Sequence, residues 1–139
     1  MSKLILIIFL IHLSTLSLAQ ESIQITGLPN QSEEIYEGWI FSSNETQSYL
    51  FYQLYSAQGT KLNSSSTIPL IIYLAGGPCA SWTLTAFAEI GPYGVSSNYD
   101  IFHPNLSNIT FSLVRREISW TKDFHLLTID NPVNAGYSY

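Results

Sequence analysis

The apolar positions of this chain fall into short runs, each closed by a polar or glycine-containing cluster. Residues 35–41, Ile-Tyr-Glu-Gly-Trp-Ile-Phe, are aromatic and β-branched and predict a strand, with Gly38 marking a bulge or a close approach. Ser42-Ser43-Asn44-Glu45 predicts a turn, and residues 48–55, Ser-Tyr-Leu-Phe-Tyr-Gln-Leu-Tyr, predict a second strand. So short a turn makes the pair an antiparallel hairpin. Residues 56–67 are polar, with three consecutive serines, and predict a surface loop. Residues 68–74 follow as an uncharged apolar run, which suits a strand buried on both faces of a sheet. Ala75-Gly76-Gly77-Pro78 stops it. Ser81 is a candidate N-cap for a short helix over 82–89, which Gly91-Pro92 ends. Residues 93–108 predict a long surface connection and 109–114 a further strand. Arg115-Arg116-Glu117 predicts an exposed charged break, 125–129 a short buried strand, and 130–139 a loop.

The first nineteen residues stand apart. Lys3 precedes an aliphatic core, and Ser17-Leu18-Ala19 offers the small residues that signal peptidase reads, so 1–19 is expected to be a cleaved signal peptide. A membrane anchor is the alternative, but His12, Ser14, Thr15 and Ser17 interrupt the stretch, which falls short of the roughly 20 apolar residues a span needs. With 46% hydrophobic and 11% charged residues, the chain has enough apolar surface for one packed domain and is too apolar for disorder. Five Lys and Arg residues and a net charge of −5 argue against a nucleic-acid surface. The lone Cys79 leaves no internal disulfide framework and no cysteine-rich zinc site. No cofactor or metal is implied.

Strand, paired glycines, then helix is an order that can aim backbone N–H groups at an anion. The same glycines equally suit a strand-to-helix turn with no ligand. Asn-x-Ser/Thr occurs at Asn30, Asn44, Asn63, Asn105 and Asn108, all in segments read as loop or turn. Behind a signal peptide these are candidate glycan acceptors.

Several separated pieces share one pattern: Tyr36-Glu37-Gly38-Trp39-Ile40, Pro69-Leu70-Ile71-Ile72-Tyr73-Leu74-Ala75-Gly76-Gly77-Pro78, Glu89-Ile90-Gly91-Pro92-Tyr93, Ser119-Trp120, and the closing Asp130-Asn131-Pro132-Val133-Asn134-Ala135-Gly136-Tyr137-Ser138-Tyr139. The chain resembles the N-terminal part of a serine carboxypeptidase. The resemblance implies an α/β fold class: the first portion of an α/β-hydrolase mixed sheet, incomplete, with antiparallel first strands followed by strand, glycine turn and helix across residues 20–139. It implies a peptide or protein C-terminus as substrate and a secretory-pathway location, extracellular or in a lysosome or vacuole. It assigns Gly77 an oxyanion-hole N–H, Gly76 an N–H on the substrate's terminal carboxylate, and Glu89 a place in the carboxylate site beside a second, downstream acid.

The chain also departs from that family's pattern. Ala75 stands in place of an asparagine, Cys79 in place of a glycine, Ala80 in place of a cysteine and Trp82 in place of a serine. Losing the asparagine removes a hydrogen bond to a charged group, which costs about 1.5–3 kcal/mol of binding. No Gly-x-Ser-x-Gly occurs, and the family's Ser, Asp and His all belong after Tyr139, so the chain is expected to be a fragment or truncated product carrying no triad. His103 reads as solvated, His125 as a satisfied core or edge residue, Ser138 as a loop residue and Asp130 as structural. A Cys79 nucleophile has a helix start in its favour and no neighbouring histidine. A non-catalytic binding relative and an esterase or acyltransferase on the same fold remain as alternatives.

Overall fold

A computed structural model describes residues 27–63, 65–99, 102 and 106–139. The expected signal segment, His103 and Asn105 lie outside the described residues. Two sheets form. The larger has four strands in the order β1-β2-β6-β3, with β1 at Ile35–Ser43, β2 at Ser48–Tyr55, β3 at Leu70–Leu74 and β6 at His125–Ile129. β1 and β2 are an antiparallel hairpin, β2 and β6 are antiparallel, and β3 and β6 are parallel. The second sheet is an antiparallel ribbon of β4, Tyr93–Ser97, and β5, Phe111–Arg115. Between β3 and β4, helix α1 at Trp82–Leu84 runs directly into a π-helical turn at Thr85–Glu89. The described residues form a mixed sheet with one short helix.

Strand alternation divides the large sheet into two faces. Ile35, Phe51, Tyr55 and Leu126 point to one face and pack against Trp82 and Ala86 of the helix and against Tyr93, with Ile71 and Tyr73 of β3 at the margin. Ser81 caps the helix start by accepting from Thr83 N–H at 3.3 Å. The helix ends where Ile90 and Gly91 N–H both donate to Thr85 O. Gly91 is needed there for contact rather than for a left-handed bend: a Cβ would lie 2.3 Å from Ala86 O.

Several sequence expectations need correction. The run 68–74 is a strand only over Leu70–Leu74, since Pro69 has no N–H for a ladder. It is not buried on both faces: Leu70, Ile72 and Leu74, which share one face, are 42%, 47% and 51% exposed because no layer among the described residues covers β3 on that side, while Ile71 and Tyr73 on the other face pack against the core. Residues 93–108 are not all connection, since Tyr93–Ser97 forms β4 and pairs with β5. Gly38 sits in uninterrupted register opposite Tyr52, and the irregularity lies between Phe41 and Ser43. Ser42 and Ser43 belong to β1, so the turn is 44–47. The loop 56–67 begins buried, at Ser56 and Ala57.

The Arg115-Arg116 break is not free in solvent. Arg115 makes a bidentate ion pair with Glu33, at 2.5 and 2.7 Å, and lies over the Tyr93 ring. Thr121 Oγ1 donates to the same carboxylate at 3.1 Å. Burial alone raises Glu33, but the Arg115 hydrogen bonds and charge outweigh it and hold the carboxyl below its ordinary value. Burial, with the Glu33 charge, pushes the Tyr93 phenol up to about 12. Arg116 donates to the carbonyls of Phe87, Glu89 and Tyr93 at 2.8–3.0 Å, satisfying the end of the helix and joining it to the ribbon.

Candidate functional site

β3 and β6 run parallel and finish together, with Leu74 opposite Ile129. Both following loops therefore leave from the same end of the sheet, the end at which open α/β sheets bind ligands. One loop is Ala75-Gly76-Gly77-Pro78-Cys79. Ala75 is buried, while Gly76, Gly77, Pro78 and Cys79 are exposed. Gly77 has φ +138°, a conformation that only glycine adopts readily, and a Cβ on Gly76 would meet nothing within 4 Å. Among the described residues, neither the Gly76 nor the Gly77 N–H has a hydrogen-bond partner. Cys79 follows at φ 70° with an exposed thiol.

The other loop starts at Asp130, which is fully buried. Its carboxylate accepts from Trp82 N–H at 2.5 Å and Tyr137 N–H at 2.8 Å. Ser138 Oγ donates to Asp130 O and accepts from Phe51 N–H, both at 2.8 Å. One carboxylate thus fastens the start of the helix, which follows the glycine turn, to the end of the central strand. Gly136 at φ +53° makes this possible, since a Cβ there would lie 2.1 Å from Asp130 Oδ2.

Glu89 is exposed at the far end of the helix, and Tyr73 Oη donates to its Oε2 at 2.9 Å. That bond pushes the Tyr73 phenol above its ordinary value. Tyr73 also packs edge-on against Trp120. An acid is thereby tied to a residue of β3 two positions before Ala75. The chemistry available at this end of the sheet is backbone donors for an anion plus an oriented carboxyl group. No group of three or more His, Cys, Asp or Glu residues able to hold a metal ion occurs among the described residues.

The sequence profile described as serine carboxypeptidase matches residues 27–139. The chain belongs to the serine carboxypeptidase family. It is 34% identical over 140 residues to serine carboxypeptidase S10 family member 1 of Dictyostelium discoideum, covering all of this chain and 27% of that protein. It is 31% identical to serine carboxypeptidase-like 46 of Arabidopsis thaliana, covering 99% of this chain and 27% of the relative. It is 32% identical to vitellogenic carboxypeptidase of Aedes aegypti over 78% of this chain and 20% of the relative. The chain thus spans between a fifth and just over a quarter of the length of these serine carboxypeptidases.

Of the residues that the family pattern pointed to, Gly76 and Gly77 share one turn, and Glu89 lies at the other end of the helix that follows it. His125 is buried, with both ring nitrogens engaged, and burial lowers its pKa. Ser138 is buried with its hydroxyl committed to two backbone groups. Asn30, Asn44, Asn63 and Asn108 are exposed. Sequence reasoning places Tyr73 in a strand and in the family segment without giving it a part in the site, and it reads Asp130 as structural without showing what it holds. The closing family segment, residues 130–139, carries that signal, because a buried acid opposite an obligatory glycine is a close-contact pair.

Proposed function

We propose that this chain supplies the oxyanion and terminal-carboxylate segment of a serine-type carboxypeptidase, which releases single residues from peptide C-termini. Gly77 N–H would face the developing oxyanion and Gly76 N–H the substrate's terminal carboxylate. Glu89, oriented by Tyr73, would contribute to the carboxylate site together with a second acid. The observation carrying this reading is the pair of exposed, unpartnered amides at the C-terminal end of two parallel strands. The free edge of β3, with apolar Leu70, Ile72 and Leu74, supports a sheet that continues in a longer polypeptide, which would bring the nucleophile.

The segment 1–19 would direct the chain into the secretory pathway, to the cell exterior or a lysosome or vacuole. Asn30, Asn44, Asn63, Asn105 and Asn108 would be its glycan acceptors. No helix among the described residues is long and apolar enough to cross a membrane. Ala75 brings no side-chain donor to the carboxylate, which favours a second reading, an esterase or acyltransferase built on the same loop.

Titrating the ¹⁵N-labelled chain with N-acetyl-phenylalanine should shift the Gly76 and Gly77 amide resonances, and the corresponding amide, which lacks the carboxylate, should not. Equal responses to the two ligands would reject a carboxylate site. The same chain should release no amino acid from a blocked dipeptide above a mock preparation. Release would mean that the nucleophile is already present in these residues.

A further inference from the structure

Away from the glycine turn, His125 joins two distant points of the crossover between β2 and β3. Its Nδ1 accepts from Ala57 N–H at 2.8 Å, and its Nε2 pairs with Ser66 Oγ at 2.9 Å. His125 is 3% exposed and Ala57 2% exposed, so water does not compete at the first bond. An Nδ1 that accepts leaves the neutral ring's proton on Nε2, which then donates to Ser66. Ser66 Oγ also takes Ile68 N–H at 3.3 Å, just before β3 begins. One imidazole therefore pins both the start and the end of the crossover to the first residue of the strand between β2 and β3.

We propose that His125 is an acid-released latch: the neutral ring holds Ala57 and Ser66 against β6, and the protonated ring lets the crossover go. A proton on Nδ1 points at the Ala57 N–H, and two donors cannot bond, so protonation and the Ala57 contact exclude each other. The charged groups on the elements packed around the ring are all engaged elsewhere or solvated. Glu34 accepts from Leu62 N–H and Tyr36 Oη, and Lys61, Lys122 and Asp123 are exposed. None contributes to the ring's titration, which burial alone moves downward. The unfolded chain takes up its proton near the ordinary value of about 6.5. The latch's contribution to stability is therefore complete above that value and is lost as the pH falls through the lowered folded one. The crossover would be closed at neutral pH and loosened in an acidic compartment. This holds whether or not the glycine turn binds a carboxylate.

Two measurements on the full ¹⁵N-labelled chain test it. At about pH 7.5 the His125 ring shifts should show an unprotonated Nδ1 and a protonated Nε2; the reverse tautomer would overturn the latch. On acidification to about pH 5, the exchange protection of the Ala57 amide should drop about tenfold relative to that of Leu126 in the neighbouring ladder. His125→Asn keeps an acceptor for Ala57 but cannot take up a proton, and should abolish that drop. Protection at Ala57 that tracks Leu126 throughout, or an undiminished drop in His125→Asn, would refute the proposal. The tautomer measurement uses the unaltered chain, so it stands even where the variant does not fold.

Discussion

The two faces of the four-stranded sheet both carry apolar residues and are covered unevenly, with Trp39 and Phe41 exposed at the hairpin end of the first and Tyr52 and His125 buried on the second. On one, Ile35, Phe51, Tyr55 and Leu126 are at most 4% exposed beneath the helix and Tyr93. On the other, alternation places Ile40, Leu50, Leu54, Leu127 and Ile129, all half-buried, beside the exposed Leu70, Ile72 and Leu74 of β3. Hydrophobicity fixes which residues can be covered; whether they are covered depends on having a layer to lay on them. Stability in this chain should accordingly be lopsided, concentrated under the helix and at the ion pair that closes that side.

The strongest way to break the covered side is Arg115→Ala. Glu33 would be left buried and unpaired, and unfolding in urea should show a loss of about 4 kcal/mol. The same variant should flatten the acid limb of the stability curve. The folded Glu33 carboxyl titrates below its unfolded value, so its stabilisation is full above the ordinary carboxylate range and disappears as pH falls through the lowered value. Next in size is Leu126→Ala, which empties the middle of the core and should cost about 3 kcal/mol. Asp130→Ala removes the acceptor from the buried Trp82 N–H and from Tyr137 N–H, for about 2 kcal/mol. Its amide exchange should quicken at Trp82 and Tyr137 before the hairpin opens. The smallest effect belongs to the uncovered face. Ile72→Thr should change the free energy of unfolding in urea by less than about 0.5 kcal/mol and should reduce self-association in sedimentation. A loss at Ile72 comparable with that at Leu126 would mean that both faces are covered after all.

The hairpin is readable in the sequence because residues 35–41 combine aromatic and β-branched types, residues 48–55 are rich in Tyr, Phe and Leu, and a short polar turn joins them, so local chemistry sufficed. β4 was not readable: Tyr-Gly-Val-Ser-Ser has little strand character of its own, and its pairing rests on β5, across an intervening connection, and on Arg116, 23 residues after Tyr93. The burial expected of residues 68–74 followed from composition, which is apolar on both faces, whereas exposure is set by neighbours in space. Arg115 looked like a surface charge because its partner Glu33 lies 82 residues earlier. At the site, the paired glycines announced themselves through their backbone demands. The Tyr73–Glu89 bond and the Asp130 anchor did not, since each needs a fold to bring its groups together.

Arg116 carries one more consequence. A single guanidinium gripping the carbonyls of Phe87, Glu89 and Tyr93 welds the ribbon to the helix terminus. Any motion that lifts the ribbon must drag Glu89 with it, so a disturbance felt by β4 and β5 reaches the carboxyl that Tyr73 steadies. The ribbon is therefore a lever on the acid at the site's margin, with Arg116 as its fulcrum.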